Sequence, residues 1–202
     1  MPPTRTTTSY ALLGLLAVRD WTTYELAKQV KRSLNWFWPR AERKLYDEPK
    51  RLVEQGLATS VRELTGQRGR TVYRITDDGR TALREWLGEP PAPRTIEFEG
   101  MVKVFFADAG TPEQLLATLE RIEAEAAGRI AALAEMAATR PVPFARRAHL
   151  SAIGLRLQYE QEDAVLRWAR WAREQVLRWN DTTDPGDWDA LATLDELARV
   201  RR

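Results

Sequence analysis

The stretch that decides the fold is Pro39–Thr76, PRAERKLYDEPKRLVEQGLATSVRELTGQRGRTVYRIT. Its first half has a proline in the first turn, apolar residues at helical spacing and a stop at Gly56, and it therefore predicts a helix that runs to about Gln55. Two extended runs, 57–64 and 70–76, then flank a short loop with two glycines, which favours a β-hairpin. The stretch predicts a helix followed by a hairpin with a basic tip.

Two more helices precede this stretch and one follows it. A start rich in threonine and serine can cap a helix over Tyr10–Val18, which is apolar on nearly all sides and is expected to be buried. A turn with an N-cap over 20–23 leads into an amphipathic helix, Tyr24–Leu34. Thr76 can cap a fourth helix that ends near Gly88. Three helices, a two-stranded wing and a fourth helix, in this order, predict a winged helix-turn-helix.

A stiff connection with three prolines, Glu89–Arg94, is the best domain boundary in the chain. We expect a winged-helix DNA-binding domain at residues 1–89, a proline-rich linker at 90–95 and a helical dimerisation domain at 96–202. The helices predicted in the last part lie at about 98–105, 111–137, 144–179 and 187–200. The predicted fold class is mainly α, with long antiparallel helices in the C-terminal domain.

The second long helix of the tail is apolar on two adjacent faces. One stripe consists of Leu150, Ile153, Leu157, Ala164, Trp168, Trp171 and Trp179, and the other consists of Leu155, Tyr159, Leu166 and Leu177. Two stripes are more apolar surface than a single antiparallel neighbour can cover, so a partner chain is implied. The predicted dimerisation residues are Leu150, Ile153, Leu157, Trp168 and Trp171.

Composition excludes several kinds of site. The chain has no cysteine and one histidine, His149, which removes disulfides, zinc–thiolate sites and most histidine-based catalysis. No metal, cofactor or catalytic residue is predicted, because the carboxylates have no companion ligands or nucleophile–base pair at a suitable spacing. The longest apolar run, around 11–18, is far below the roughly 20 residues of a membrane span, and the N-terminus has no clear signal-peptide cleavage site. We expect a cytoplasmic protein without a membrane segment.

Charge is distributed unevenly along the chain. Residues 1–95 contain 17 Lys and Arg against 11 Asp and Glu, whereas residues 96–202 contain 14 against 18. A basic first half is suited to a polyanion. Arginine supplies 26 of the 31 basic residues, and its guanidinium can form paired hydrogen bonds to phosphate or guanine.

The third helix and the hairpin carry the candidate contacts to DNA. Arg43, Tyr46 and Lys50 recur at helical spacing on the outer face of the helix, and the arginines of the hairpin tip are suited to phosphate or the minor groove. The predicted DNA-binding residues are Thr23, Tyr24, Arg40, Arg43, Lys44, Tyr46, Lys50, Arg51, Gln67, Arg68, Arg70, Tyr73 and Arg74. A merely solvated helix face is the alternative, since charge on a helix exterior is ordinary.

In order and spacing, short motifs over residues 9–87 resemble the PadR family of bacterial regulators. They are YALLGLL at 10–16, YELA at 24–27, LY at 45–46, KRL at 50–52, GL at 56–57, GR at 69–70, Tyr73, IT at 75–76 and Gly79. KVFF at 103–106 and the long helices after it resemble the family's more variable dimerisation region. The chain departs from the family pattern at Thr22-Thr23 and at Pro49. Because proline lacks the backbone donor and costs about 3 kcal/mol inside a helix, a kink is predicted there.

The resemblance implies a sequence-specific transcriptional regulator that acts as a homodimer. It would be a repressor on a near-palindromic operator in double-stranded DNA, released by a small hydrophobic or aromatic effector. Trp168, Trp171 and Trp179 are the candidate effector pocket, with packing in the core as the alternative for these aromatic side chains. The rival function is a winged-helix module that binds protein and not DNA, which would lack salt-dependent affinity for a duplex.

Overall fold

The computed structural model describes residues 5–34, 42–65 and 68–199, and the chain divides into two units, Met1–Arg94 and Thr95–Arg202. The first unit contains α1 (Thr7–Val18), β1 (Trp21–Thr22), α2 (Thr23–Gln29), α3 (Glu42–Glu54), β2 (Ala58–Thr65), β3 (Arg68–Ile75) and α4 (Asp77–Leu87). The second contains α5 (Glu99–Phe105), α6 (Pro112–Ala138), α7 (Ala148–Val176) and α8 (Ala190–Ala198). This order confirms a winged helix-turn-helix followed by a helical region.

The start of α1 lies three residues before the predicted one. Thr6 is the N-cap, and its hydroxyl accepts a hydrogen bond from the Ser9 backbone N–H at 3.3 Å. The Ser9 hydroxyl accepts one in return from the Thr6 backbone N–H at 2.9 Å. This reciprocal capping satisfies two donors that would otherwise be unpaired at the helix start.

The core of the first unit is built around α1, as its all-round apolar sequence predicts. Leu12, Leu13 and Leu16 are almost completely buried. They share one cluster with side chains from every other part of the unit, namely Trp21, Leu26, Val30, Leu45, Leu52, Leu57, Ala58, Tyr73 and Ala82. Burying apolar surface is the dominant stabilising term, so α1 fixes the positions of the elements that pack on it.

Pro49 lies inside α3 and does not end it. The helix continues from Glu42 to Glu54, and Pro49 is among the most deeply buried side chains of the chain. Leu45 and Leu52, one turn to either side, are also buried. Burial of the proline ring in this apolar setting offsets part of the cost of its missing backbone hydrogen bond.

A buried polar contact joins α3 to α1. Glu48 is 7% exposed, and its Oε1 atom accepts a hydrogen bond from the Ser9 hydroxyl at 2.5 Å. The Arg51 guanidinium lies 3.7 Å from the other carboxylate oxygen. A buried carboxylate is tolerated only with such partners, so this contact fixes α3 in one position on α1.

The sheet has three strands in the order β1–β3–β2, whereas a wing of two strands was predicted. Trp21 pairs with Tyr73 and Thr22 with Val72, where a turn alone was predicted. The cause is the indole of Trp21, which is buried and donates from Nε1 to the Leu15 carbonyl at 2.7 Å. Anchoring this side chain lays the backbone of 21–22 against β3.

Two glycines serve the connections around the wing. Gly56 ends α3 with φ of +72°, the left-handed conformation expected of a helix stop. Gly79 permits close packing, because a Cβ there would lie 2.1 Å from the Leu57 carbonyl oxygen. Thr76 caps α4 as predicted: its hydroxyl accepts from the Gly79 N–H at 3.0 Å and donates to the Gly56 carbonyl at 2.8 Å.

In the second unit, α6 and α7 pack antiparallel. Leu115 and Leu119 near the start of α6 cluster with Val176 at the end of α7. Farther along, Arg170 Nε lies 2.8 Å from Glu123 Oε1, and Arg129 Nη1 lies 2.8 Å from Glu162 Oε1. As residue numbers rise along α6, those of its partners on α7 fall.

Helix ends in the second unit differ from those predicted. The helix predicted over 144–179 is α7, Ala148–Val176, and a 3-10 turn at Ala145–Arg147 precedes it. The final helix begins at Ala190 because the Asp189 side chain caps it, accepting from the Ala192 N–H at 2.9 Å. Along the described ranges, no helix has both the length and the apolarity to cross a bilayer.

Replacing Ser9 by alanine tests the contact between α1 and α3. Ser9→Ala removes the hydrogen bond to a buried carboxylate and one arm of the capping box, so the free energy of unfolding of the first unit should fall by about 2 kcal/mol. Urea titration followed by tryptophan fluorescence measures this change. Ser60→Ala, at an exposed position of β2, is the matched control. Equal stability of the two variants would contradict the assignment.

Candidate nucleic-acid interface

The N-terminus of α2 presents Thr23 and Tyr24 on a rigid turn. The Thr22 hydroxyl accepts from the Glu25 N–H at 3.2 Å, and Glu25 Oε2 accepts from the Thr22 N–H at 2.8 Å. The pKa of Glu25 is lowered from its ordinary value, chiefly because its carboxylate accepts this hydrogen bond from the Thr22 backbone. Arg19 Nη2 lies 3.0 Å from Glu25 Oε1. The turn leaves Tyr24 68% exposed.

An open depression connects this turn to the wing. Its volume is about 510 Å³, and it is lined by Thr22, Thr23, Tyr24, Glu25, Arg70 and Thr71. The depression therefore brings together three predicted DNA-binding residues, Thr23, Tyr24 and Arg70. Hydroxyl, phenol and guanidinium groups at one surface can all donate hydrogen bonds to phosphate oxygens.

The outer face of α3 presents further predicted residues to solvent. Tyr46, Lys50 and Arg51 are exposed, while Leu45 and Leu52 of the same helix lie in the core. Lys50 Nζ is 3.9 Å from Asp47 Oδ1. An exposed ion pair of this length contributes at most about 1 kcal/mol, so the Lys50 ammonium can exchange this partner for a phosphate.

Arg70 and Arg74, the predicted wing arginines whose side chains are described, each form an ion pair. Arg70 donates from Nε and Nη2 to Glu63 Oε2, at 3.2 and 2.9 Å, across the β2–β3 register. Arg74 donates from Nε to Asp20 Oδ2 at 2.6 Å. Both guanidinium groups remain about half exposed. The acids orient the arginines, and a guanidinium has five donors, so a phosphate can bind without complete loss of either pair.

Tyr73 was predicted to contact DNA, and this prediction is wrong. Its side chain is 4% exposed and belongs to the core cluster of the first unit. Side chains alternate between the two faces of a strand, so Tyr73 points into the core from the face opposite to that of the exposed Arg70 and Arg74. Residues from both faces had been grouped because they are close in sequence.

Five residues of the predicted set lie wholly or partly outside the described part of the chain. Arg40 and Gln67 lie outside the described residues. The backbones of Arg43 and Lys44 belong to α3, and that of Arg68 to β3, but their side chains are not among those described.

Arg62, a basic residue of the wing, is not among the predicted DNA-binding residues. Arg62 is exposed on β2 and pairs in register with Thr71, which lines the depression. Directly opposed residues of an antiparallel pair lie on the same face, so Arg62 shares the face of Thr71. Its positive charge within the predicted run 57–64 was the available signal, and by strand alternation it lies on the face opposite to that of Arg70 and Arg74.

In the second unit, the predicted dimerisation residues fall into two groups. Leu150, Ile153 and Leu157 are 51–71% exposed, and Trp171 is also exposed. Trp168 instead packs against the cluster of Leu115, Leu119 and Val176, so it contributes to the core of its own unit.

The three tryptophans of the candidate effector pocket have different surroundings. Trp168 and Trp179 both pack against the Leu115–Leu119–Val176 cluster, and the Trp179 ring lies 5.5 Å from that of Trp188. Trp171 is exposed. Trp168 and Trp179 therefore pack in the core of the second unit, and only Trp171 of the three is exposed. Among the described residues, no group of three or more acidic or histidine side chains is placed to hold a metal ion.

Comparison with known proteins matches both units to families. Residues 12–85 match the transcriptional regulator PadR-like family, and residues 99–176 match the virulence activator alpha C-term family. The negative transcriptional regulator PadR of Bacillus subtilis is 32% identical over 99 residues, which cover 48% of this chain and 54% of that protein. A probable transcriptional regulator of Mycobacterium tuberculosis is 33% identical over 87 residues, or 42% and 45% of the two chains. The matched part thus spans about half the length of these relatives.

The crystal structure of Bacillus subtilis PadR in complex with operator DNA is similar in fold. The TM-score is 0.75 at 22% identity, over 85% of this chain and 99% of that chain. The same regulator in complex with p-coumaric acid gives a TM-score of 0.67. At this identity the likeness shows the fold.

Glu25→Ala tests the turn that positions Tyr24. A carboxyl group with a lowered pKa in the folded state stabilises the fold above its ordinary pKa of 4.5, and this contribution is lost as the pH falls through the lowered value. The side chain is more than a third exposed and solvent screens its charge, so we expect a loss of about 0.5–1 kcal/mol at pH 7.

Urea unfolding at pH 7 and at pH 3 measures the effect, and the difference between wild type and Glu25→Ala should shrink at the lower pH. Glu85→Ala, on the exposed side of α4, is the control for the loss of a surface carboxylate. A difference that grew on acidification would be incompatible with the capping role of Glu25.

Proposed function

We propose, from the premise that residues 12–85 form a domain of the PadR-like family of transcriptional regulators, that this chain is a cytoplasmic repressor that binds double-stranded DNA as a homodimer. The observation that carries the proposal is the arrangement of exposed donors in the first unit. Tyr46, Lys50 and Arg51 on α3 lie in the same unit as Thr23, Tyr24 and Arg70 around the depression.

The chemistry of these groups fits the two kinds of contact that a winged helix makes. The outer face of α3 would enter the major groove, where lysine and arginine can donate to guanine and the phenol of Tyr46 can reach a base or the backbone. Thr23, Tyr24 and the wing arginines Arg62 and Arg70 would bind phosphate and fix the register. Each phosphate neutralised releases counterions, so affinity should fall steeply with salt.

The proposed homodimer rests on the apolar surface of the second unit. Leu150, Ile153 and Leu157 present a continuous apolar stripe to water along the first half of α7. An exposed apolar stripe of this kind marks an interaction site, and a second copy of the chain would duplicate the DNA-binding unit. Two such units can then read the two halves of a near-palindromic operator, whose centres lie about 34–36 Å apart.

The effector is proposed by similarity to the regulator crystallised with p-coumaric acid. An aromatic carboxylic acid bound beside Trp171, the exposed member of the tryptophan set, would favour a dimer that cannot reach both half-sites. Coupling between two such sites is typically about 1–3 kcal/mol.

Replacing two cations of α3 tests DNA binding. The operator DNA is first selected from random fragments with the wild-type protein. Arg43→Ala with Lys50→Ala should lower the affinity for this DNA by about 100-fold or more, because both groove contacts are lost. Lys103→Ala with Arg121→Ala removes the same charge from the second unit and is the matched control. Equal affinities in a fluorescence-anisotropy titration would reject the role of α3, and wild-type affinity that is indifferent to salt would favour the protein-binding module.

Addition of p-coumaric acid tests the effector. Saturating acid should raise the dissociation constant for the operator by about 5- to 150-fold in the wild type, and Trp171→Ala should show a much smaller change. Trp86→Phe, in the first unit where the ring stacks on Tyr10 at 4.7 Å, is the control and should respond as the wild type does. No response in the wild type would remove the effector from the proposal and leave DNA binding in place.

A further inference from the structure

We propose that α8 of one copy packs on the first half of α7 in the other copy, so that the two chains of the dimer exchange their last helices. This inference rests on the proposed homodimer and specifies its interface. The exchanged helix, Ala190–Ala198, lies beyond the two matched segments, whereas the surface of α7 that would receive it lies within residues 99–176.

The helix α8 needs an apolar partner. Leu191, Leu194 and Leu197 recur on one side of it and are 59–72% exposed. A helix of nine residues is well below the 12–15 residues at which an isolated helix becomes even marginally stable in water. Its cap at Asp189 helps the start, but the leucine side must be covered for the helix to persist.

The first half of α7 offers a surface of matching size. Leu150, Ile153 and Leu157 form its exposed stripe, and Leu157 lies seven positions after Leu150, or about 10 Å along the axis. On α8, Leu197 lies six positions after Leu191, or about 9 Å along the axis. On the opposite side of α7, Gln158 is buried and Glu162 pairs with Arg129 of α6, so α6 covers that side and leaves the stripe free for another helix.

The charges around the two surfaces are complementary. Residues 179–198 contain six acids, Asp181, Asp184, Asp187, Asp189, Asp195 and Glu196, and no lysine or arginine, with Arg178 and Arg199 on either side. Residues 136–159 contain four arginines, Arg140, Arg146, Arg147 and Arg156, together with His149, and no acid; Arg156 pairs with Glu160, the first residue beyond this segment. Opposite potentials of this kind select the partner surface and fix the orientation of the contact. These charges favour the pairing of α8 with α7 over the pairing of either helix with the same helix of the other chain.

The two surfaces of one chain cannot meet each other. The segment before α8 is fastened at the far end of α7, where the Trp188 ring lies against Trp179 and the Thr182 hydroxyl donates to the Gly110 carbonyl at 3.2 Å. Leu157 is 22 residues from Trp179, about 33 Å along a helix, whereas Leu197 is nine residues from Trp188, about 14 Å. The stripe on α7 is therefore out of reach of α8 in the same copy.

A two-fold dimer brings the surfaces together twice. When the α7 helices of two copies run in opposite directions, the end of one lies beside the beginning of the other. Each α8 then continues onto the first half of the partner's α7, and both contacts are equivalent, as an isologous interface requires.

Disulfide trapping tests the exchange, because the chain contains no cysteine of its own. A Leu194→Cys chain is co-expressed with an Ile153→Cys chain that carries a tag of different size, and the complex is oxidised and resolved on a non-reducing gel. We expect at least tenfold more of the mixed disulfide dimer than from the control pair, Leu194→Cys with Arg121→Cys, whose second position is exposed on α6. Cysteines can bridge only where their Cα atoms approach within about 7 Å.

Each other result overturns the exchange. A mixed dimer no more abundant than the control, a predominant link between two Leu194→Cys chains, or an internal disulfide in a chain with both cysteines would each place α8 elsewhere. Sedimentation of the wild-type protein separates this failure from that of the proposed function. A dimer without the mixed link rejects the exchange alone, whereas a monomer rejects the proposed homodimer as well.

Charge reversal gives an independent reading. Arg146→Glu with Arg147→Glu, and separately Asp195→Lys with Glu196→Lys, should each raise the dimer dissociation constant by about tenfold. The chain with all four changes should return to within about threefold of the wild type. Additive weakening in the combined chain would show that the two charge clusters do not meet.

Discussion

Burial of the leucines of α1 is the constraint on which the first unit depends. Leu12, Leu13 and Leu16 are covered by α2, α3 and the sheet together, so each of these elements has one face committed to the core. The hydrogen bond between Ser9 and Glu48 then fixes the rotation of α3 about its own axis and its position along α1. The side chains of α3 that point away from this core are exposed, and they include Tyr46, Lys50 and Arg51. The surface proposed for DNA is in this sense a consequence of the core.

The exposed cations of this surface are accompanied by acids, and this has a consequence for binding. Arg70 with Glu63, Arg74 with Asp20 and Lys50 with Asp47 are solvent-exposed pairs, which contribute little stability but limit where each side chain can point. A phosphate that replaces or joins the acid finds the cation already oriented, so less side-chain entropy is lost on binding. The same acids weaken the attraction of the surface for any polyanion. Binding should therefore depend more on where the phosphates lie relative to each cation than on the net charge of the surface.

The sequence was informative where local chemistry decides structure. The stop at Gly56, the cap at Thr76, the inward Leu45 and Leu52 and the two long helices all follow from spacing and capping. Prediction failed where a distant contact decides. The burial of Trp21 creates β1, and the strand alternation that places Tyr73 inside was overlooked although it was readable. The apolar spacing of 144–179 located α7 but not its ends, because a periodic pattern does not show at which residue a helix begins or ends. The candidate site was predicted as a set of basic, aromatic and polar residues along the chain, and the depression between α2 and β3 could only be seen in three dimensions.

A first unit proposed to bind DNA is followed by a second unit whose exposed apolar surfaces are proposed to bind another copy. Two first units would then engage one duplex symmetrically. The most direct measurement is a hydroxyl-radical footprint on DNA fragments selected by the purified protein. We expect two protected half-sites related by symmetry, with centres about 10 base pairs, or a multiple of one helical turn, apart, and the protection should fade as salt is raised. Uniform cleavage at every salt concentration, or a single unsymmetrical block of protection, would contradict it.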